Sequence, residues 1–510
     1  MSHGFKALSF ACVLLGLACQ HEAMPITGSG GASSAGSGSS PRVHESTVAG
    51  SGGIGSPPAR SSAEAGSAGA GRGSSDSGSG GKAGSGGASD SGSGGASGGS
   101  AGTRGMMAAG GTSAPAPNDE LFDPANFPRF DLDLPPESVA ALEAVTGSDD
   151  PKQDTYVTAT FTYDKGGKSE VVHNVGVRLK GEGSFRSFDE KPALKLKLDE
   201  FVKGQAFRGL VRLTLNNNID DASFIAERLA YDVYRAAGVP APRCNSASVY
   251  VNGAFYGVYT HVETEDKHFL SRWFTNNDGN LYEKNGMQDL SAAAAANFDL
   301  ETNEARNDRS DLTQALMAID AATSPASFLA DLDPYIDTAE FLKLTAVEGA
   351  VNQWDMYSYS TWWPHNFRLY HDLSTSKFVF IPWGNDLAMK PHLYSGRAYI
   401  RMFELVHKSD ASNEPISSGV LFKRCLASTS CKKAYEDAVN EVITVFEALE
   451  LEARARRYYT QIKAQVYADA RKATESGPLT NAGFEAGYQS VLRTIRGRVA
   501  AMRADVNENQ

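Results

Sequence analysis

Asn352-Gln353-Trp354-Asp355, His365-Asn366-Phe367-Arg368-Leu369-Tyr370 and Phe380-Ile381-Pro382-Trp383-Gly384-Asn385-Asp386 set one acid, one amide and a second acid on successive short elements. That is an economical way to place a proton acceptor beside a divalent metal. The apolar alternating runs 367–370 and 378–383 are joined by Asp372-Leu373-Ser374-Thr375-Ser376, so the middle of the stretch predicts a hairpin. Such a hairpin holds Asn366 at its entrance and Asp386 at its exit, close in space. Read alone, Asp355 serves equally well as a helix cap and Asp386 as a turn residue, the usual duties of isolated Asp and Asn.

Outward from this stretch, the N-terminal side of the folded body alternates. Residues 156–163 read as a strand, Lys165-Gly166-Gly167 as a turn and 170–180 as the returning strand. The return strand ends in Val177-Arg178-Leu179-Lys180-Gly181-Glu182-Gly183-Ser184-Phe185. Glycines two apart at a strand end let backbone approach a ligand and their N–H groups cradle phosphate, although a Gly-x-Gly is more often a plain turn. In Ala193-Leu194-Lys195-Leu196-Lys197-Leu198 the alternation puts Lys195 and Lys197 on one face, either reaching a nucleotide phosphate or solvated. A helix starts at Asp221 or Ser223 and runs to Ala237, stopped by Gly238 with Pro240 beyond, and its Glu227 could face Lys195 or Lys197. Asn252-Gly253 between 248–251 and 254–259 is the strongest hairpin signal in the chain. At 260–267 strand gives way to helix, a lobe boundary. Beyond it, 312–321, 338–351, 435–449, 452–472 and 484–501 carry helical periodicity whose apolar stripes read as core.

The first quarter of the chain cannot build such a body. Residues 28–117 are mostly Gly, Ser and Ala and bury too little apolar surface to offset chain entropy. They read as a flexible tether with a root-mean-square span of roughly 50 Å. Ahead of it, Lys6 precedes the apolar run 7–18, which has the shape of a secretory signal, and Leu15-Gly16-Leu17-Ala18-Cys19 resembles the bacterial lipobox. The expected organisation is therefore a leader over 1–19, either ending in a lipidated Cys19 or cut nearby as an ordinary signal peptide, a linker over 20–117, a β-rich nucleotide-binding lobe over 118–265 and a helical lobe over 266–510 that carries the catalytic and metal segment 352–390. The net charge of −12 argues against a nucleic-acid partner, because phosphate binding requires a basic surface. Cys425 and Cys431 are close enough in sequence to close a small disulfide loop in an oxidising compartment.

Taken in order, these pieces resemble the CotH kinase family from 155 to about 389, with a looser helical tail. The resemblance is carried by Gly176-Val177-Arg178-Leu179-Lys180-Gly181, Lys191-Pro192, Leu194-Lys195-Leu196, residues 213–217, Ala237-Gly238-Val239-Pro240, Val251-Asn252-Gly253, Tyr256-Gly257-Val258-Tyr259 and Val262-Glu263. Asp355, Tyr357, His365-Asn366-Phe367, Leu369-Tyr370 and Ile381-Pro382-Trp383 continue it.

The resemblance implies an α+β, atypical protein-kinase-like fold of two lobes that transfers the ATP γ-phosphoryl group to Ser or Thr hydroxyls of secreted or envelope proteins. On it, Lys180, Gly181, Gly183 and Ser184 lie at the nucleotide, with 181–184 covering the phosphates and Lys195 or Lys197 pairing with them. Glu227 orients that lysine and Glu263 lies at the adenine-side hinge. Asp355 accepts the substrate hydroxyl proton, and Asn366 and Asp386 hold Mg²⁺ or Mn²⁺. One position departs from the pattern: Gly384 stands where the family has a metal-binding Asp directly after the tryptophan. An extended segment would let Asp386 serve with a shift of roughly 6–7 Å along the chain. The alternative is a catalytically weak or inactive kinase-like surface module that binds a partner protein or envelope polymer, with Tyr357, Tyr359, Trp362 and Trp363 as an aromatic binding face.

Overall fold

A computed structural model describes residues 118–391, 397–405 and 418–510. The leader, the lipobox-like segment and the linker to residue 117 lie outside the described residues.

Seven strands form the first half: β1 (Arg129–Asp133), β2 (Val157–Lys165), β3 (Lys168–Lys180), β4 (Ala193–Lys197), β5 (Arg212–Asn216), β6 (Cys244–Val251) and β7 (Ala254–Val262). They close into a barrel in the order β1-β2-β3-β4-β5-β7-β6, and the parallel pairing of β1 with β6 seals it. Strict alternation explains the closure. Val175, Val177 and Leu179 of β3, Leu194 and Leu196 of β4, and Leu213 and Leu215 of β5 are buried in one cluster inside. Their neighbours Arg178, Lys180, Lys195, Lys197, Thr214 and Asn216 fall, by register, on the outer wall. The β6–β7 turn is Asn252-Gly253, both with positive φ, the signature of a tight two-residue hairpin.

Three helices belong to this half: α1 (Asp119–Phe122), α2 (Pro136–Glu143) and α3 (Ala226–Ala236). Helix α3 starts later than the sequence predicts. Asp221 Oδ2 accepts from Ala226 N at 2.8 Å and Ser223 Oγ from Ile225 N at 3.3 Å, so both side chains brace a turn ahead of the helix.

The second half has strands β8 (Leu281–Lys284), β9 (Phe298–Leu300), β10 (Phe367–Asp372) and β11 (Lys377–Pro382), in the order β11-β10-β8-β9. The expected hairpin is thus the pair β10 and β11, registered Phe367 to Pro382 through Asp372 to Lys377. Its helices are α4 (Lys267–Trp273), α5 (Ser310–Ala321), α6 (Phe328–Leu332), α7 (Thr338–Ala350), α8 (Val420–Ala427), α9 (Thr429–Ala448), α10 (Leu451–Ala468) and α11 (Asn481–Asn509). One face of the small sheet, with Phe367, Leu369, Phe378 and Phe380, joins the helical core with Phe341 and Leu344 of α7. The other, with Leu281, Tyr370, Val379 and Ile381, packs on Phe269 and Leu270 of α4. A disulfide between Cys425 and Cys431 ties α8 to α9. Among the described residues no helix is long and apolar enough to cross a membrane.

Candidate active site

Helix α7 delivers the first acid. Beyond its end, Asn352 is fully buried, accepting Ile400 N at 2.7 Å on its Oδ1, and Gln353 donates to Gly384 O at 2.8 Å while its Oε1 accepts Asp355 N at 3.3 Å. Gln353 thus bolts the Asp355 turn to Gly384, just past β11, while Asn352 ties the end of α7 to Ile400. Asn366, at the mouth of the hairpin, donates to Asp355 O at 2.7 Å and to Asp355 Oδ2 at 3.0 Å. His365 Nε2 lies 3.0 Å from the other carboxylate oxygen, and its Nδ1 is 2.5 Å from Trp363 O. Burial alone would lower the imidazole pKa, but the bond and charge of Asp355 outweigh it and hold it above its ordinary value.

Gly384 changes how the second acid arrives. It sits in the left-handed region at φ 60 and ψ 55, and Asn385–Leu387 form a single 3-10 turn. The extended run expected from the sequence is therefore replaced by a reversal, and Asp386 reaches the site by a turn rather than by a slide along a strand. A Cβ at position 384 would come within 3.0 Å of Asn366 Cγ, so the glycine also leaves room for that amide. Burial raises the Asp386 carboxyl, Asp355 raises it further, and Lys390 and Lys180 pull against them. The second acid thus lies within the field of the first, and of a lysine from the barrel.

That lysine is Lys180, at the end of β3. Its Nζ donates to Asn216 Oδ1 at 2.7 Å, and Asn216 Nδ2 is 3.0 Å from both oxygens of Glu227 on α3. Glu227 therefore serves Lys180 through an intervening amide, and not Lys195 or Lys197 as the sequence predicts. Burial, with Asp386 next, pushes Glu227 up to about 8. Lys180 is lowered by burial against the pull of Glu227 and Asp386.

The other two lysines part company. Lys197 pairs with Glu200 at 2.7 Å on the barrel surface. Lys195 is brought down to about 8 by burial, with Glu283 opposing and Arg178 and Arg368 adding to the fall. Arg368 of β10 binds Glu265 at 3.2 Å and Glu283 at 2.9 Å, and its guanidinium lies 5.3 Å from the Trp383 ring, which Lys180 approaches at 5.8 Å. Burial opposes ionisation of Glu283, but Arg368 and Lys195 outweigh it and set it at about 2.

The segment 181–184 leaves the barrel beside Lys180. Gly181 O accepts from Gln153 at 2.8 Å and Ser184 O from Asn217 at 3.0 Å, while Gly183 is exposed. Glu263 has a different setting: its carboxylate is shared by Arg243, at 2.7 Å, and Arg272 of α4, so its side chain braces the end of β7 to the next helix. Of the aromatic residues, Tyr357 and Tyr359 are fully buried in the helical core; Trp362 is 39% exposed.

Among the described residues no three His, Cys, Asp or Glu side chains stand close enough to cage an ion unaided. Mg²⁺ in phosphoryl-transfer sites asks for less, one or two protein oxygens completed by phosphates and water. Asn366 and Asp386 carry donor oxygens of the kind this demand names, an amide and a carboxylate, and the Asp386 anion, disfavoured first by burial and then by Asp355, would be relieved by a cation. Sequence reasoning passed over Asn216, Asn217 and His365 as site residues. The available signal was the run Asn216-Asn217-Asn218 at the end of a strand; the structure shows all three buried, so their amides must bond something other than water.

The family model described as CotH kinase protein matches residues 177–502. The chain is also similar to the inner spore coat protein H of Bacillus subtilis (strain 168), with 22% identity over 288 residues, which cover 53% of this chain and 73% of that protein. With that model running across more than half its length, the chain belongs to the CotH kinase family.

Proposed function

We propose that this protein is an exported kinase that transfers the γ-phosphoryl group of ATP to Ser or Thr hydroxyls of secreted or envelope proteins, using Mg²⁺ or Mn²⁺. The observation that carries the reading is the convergence of Asp355 and Asp386 from the second half with Lys180, Asn216 and Glu227 from the barrel. Phosphoryl transfer asks mainly for positioning and charge neutralisation, and these groups supply both. In this reading Lys180 and Lys195 meet the phosphates and Glu227 steadies Lys180 through Asn216. Asn366 and Asp386 would hold the divalent cation, which when bound would supply charge neutralisation at the phosphates. Asp355 takes the proton as the substrate oxygen bonds to the γ-phosphorus, the β–γ bridging bond breaks and ADP leaves; His365 keeps the carboxylate in place. The leader and its lipobox-like end direct the folded part to the envelope, where the linker carries it clear of a lipid anchor on Cys19.

The test is label transfer from γ-labelled ATP to envelope proteins by the purified protein in Mg²⁺ or Mn²⁺. Transfer lost in Asp355→Asn is expected; a protein that binds no ATP with either metal overturns the reading. A second reading, a kinase-like module that binds an envelope partner without catalysis, draws on Gly384 and on Trp362, which is 39% exposed. Partner capture undiminished in both Asp355→Asn and Asp386→Asn, with no label transfer by the wild type, would select it.

A further inference from the structure

The loop between β3 and β4, residues 181–192, begins with the segment assigned to the phosphates and ends in a buried ion pair that reaches the far end of the chain. Lys191 Nζ lies 2.7 Å from Asp469 Oδ2, and both side chains are 1% exposed. They are 278 residues apart. Asp469 is the residue at which α10 stops, and its carboxylate also accepts Val258 N at 3.2 Å and Arg471 N at 2.9 Å. The approach depends on Gly257, whose φ is +128 and where any Cβ would collide with the Asp469 carboxylate. Lys191 is further flanked by the rings of Phe224 at 4.7 Å and Tyr259 at 5.2 Å.

A second grip lies next to the first. Arg471 donates to Asp189 O and, at 2.7 Å, to Glu190 O, with its guanidinium 4.1 Å from the Tyr256 ring. Tyr256 in turn donates to Phe188 O at 2.9 Å. From the barrel side, Asn217 Nδ2 holds Ser184 O and Lys191 O, each at 3.0 Å, one residue after the Asn216 that bonds Lys180 and Glu227. The loop's two ends are thus tied together by Asn217, and its return arm is clasped by the end of α10.

A buried ion pair is an expensive way to gain stability, because the desolvation of both charges offsets most of their attraction. Its geometry better suits fixing one arrangement. We propose that Lys191, Asp469 and Arg471 are positioning residues for the nucleotide: the end of α10 clamps the loop so that 181–184 is held over the phosphates before ATP arrives. This rests on the kinase reading above. It makes the C-terminal helices part of the nucleotide site through the loop they hold, and places the loop's order under the control of one helix end.

The experiment uses the full-length protein with two disrupting variants and one conservative variant. Arg471→Ala removes the second grip at a partly exposed position; Lys191→Met with Asp469→Asn removes both buried charges together, so neither is stranded. Hydrogen exchange without nucleotide is expected to speed up in 181–190 by about tenfold in both variants, while the rest of the barrel stays protected. In label transfer, KM for ATP is expected to rise by about fivefold or more with kcat within about twofold, and Arg471→Lys to recover part of the loss. If loop exchange and KM stay at wild-type values in both variants, or if both variants merely lower the melting temperature, the clamp has no positioning role. Wild-type protein that binds no ATP would instead overturn the kinase reading, and this proposal with it, whatever the exchange shows.

Discussion

Asn366 donates to Asp355 from one amide nitrogen to two acceptors, the main-chain carbonyl at 2.7 Å and the carboxylate at 3.0 Å. The amide therefore fixes both the backbone and the rotamer of the proposed proton acceptor. Asp355→Asn keeps the volume and an oxygen for Asn366 but cannot take a proton. Label transfer is expected to fall by ~10²–10⁴-fold while ATP affinity changes little, as read by phosphate incorporation and by titration calorimetry. An equal loss of affinity would mean that Asp355 binds rather than reacts.

Gly384 invites the opposite kind of change. Gly384→Asp puts an acid directly after Trp383, but into a left-handed backbone and against Asn366, 3.0 Å from the new Cβ. Forcing a side chain into that backbone region costs about 1–2 kcal/mol for most residues and somewhat less for Asp. The expected result is a lower melting temperature and weaker label transfer, because Asn366 must give up its hold on Asp355. A variant that gains transfer would show that the site wants a carboxylate at 384, beside Asp355 and Asp386, more than it wants the amide in place.

Lys180 and Lys197 share the outer wall of the barrel and differ in what they face. Lys180 sits between Asn216 and the field of Asp386, whereas Lys197 is committed to Glu200 in a half-exposed pair. Lys180→Met is expected to weaken ATP binding by about 10- to 100-fold, the weight of a bond to a charged group. Lys197→Met removes only a surface ion pair, worth about 0–1 kcal/mol, and should leave ATP binding unchanged. Equilibrium binding of a fluorescent ATP analogue distinguishes them.

The alternation of 170–180 and 193–198 shows in the sequence which faces of β3 and β4 carry charge, and the structure keeps those faces. It does not show which lysine Glu227 serves, because the link runs through Asn216 of β5, and it is Lys180 at the end of β3 that bonds that amide. The hairpin of β10 and β11 was legible from two apolar runs around a turn. The path after Trp383 was not, since a single left-handed residue at Gly384 converts an apparent strand continuation into a turn. Strand β1, Arg129–Asp133, hid in a Pro- and Asp-rich segment with only Phe130 and Leu132 pointing inward. The contact of Lys191 with Asp469 had no local signal, because nothing in either neighbourhood points to a partner 278 residues away.

His261 tests the barrel independently of the chemistry. It points inside, fully buried, with its ring stacked on Phe122 at 4.6 Å and edge-on to Phe130 at 5.2 Å, and neither nitrogen has a hydrogen-bond partner among the described residues. Burial, helped by Arg243, lowers its pKa to about 3. The folded state therefore keeps the ring neutral while the unfolded chain takes up a proton near pH 6.5, so the stability tied to this residue is complete above that pH and lost as the pH falls toward 3. His261→Leu removes the titration and the unsatisfied nitrogens, a gain of about 1–3 kcal/mol, against about 0.5–1.5 kcal/mol for the lost ring contacts. The variant is expected to melt slightly higher than wild type at pH 7 and clearly higher at pH 4.5, with urea titrations giving the same order. A gap between the two proteins that narrows on acidification would mean that the ring is bonded and charged in the folded barrel.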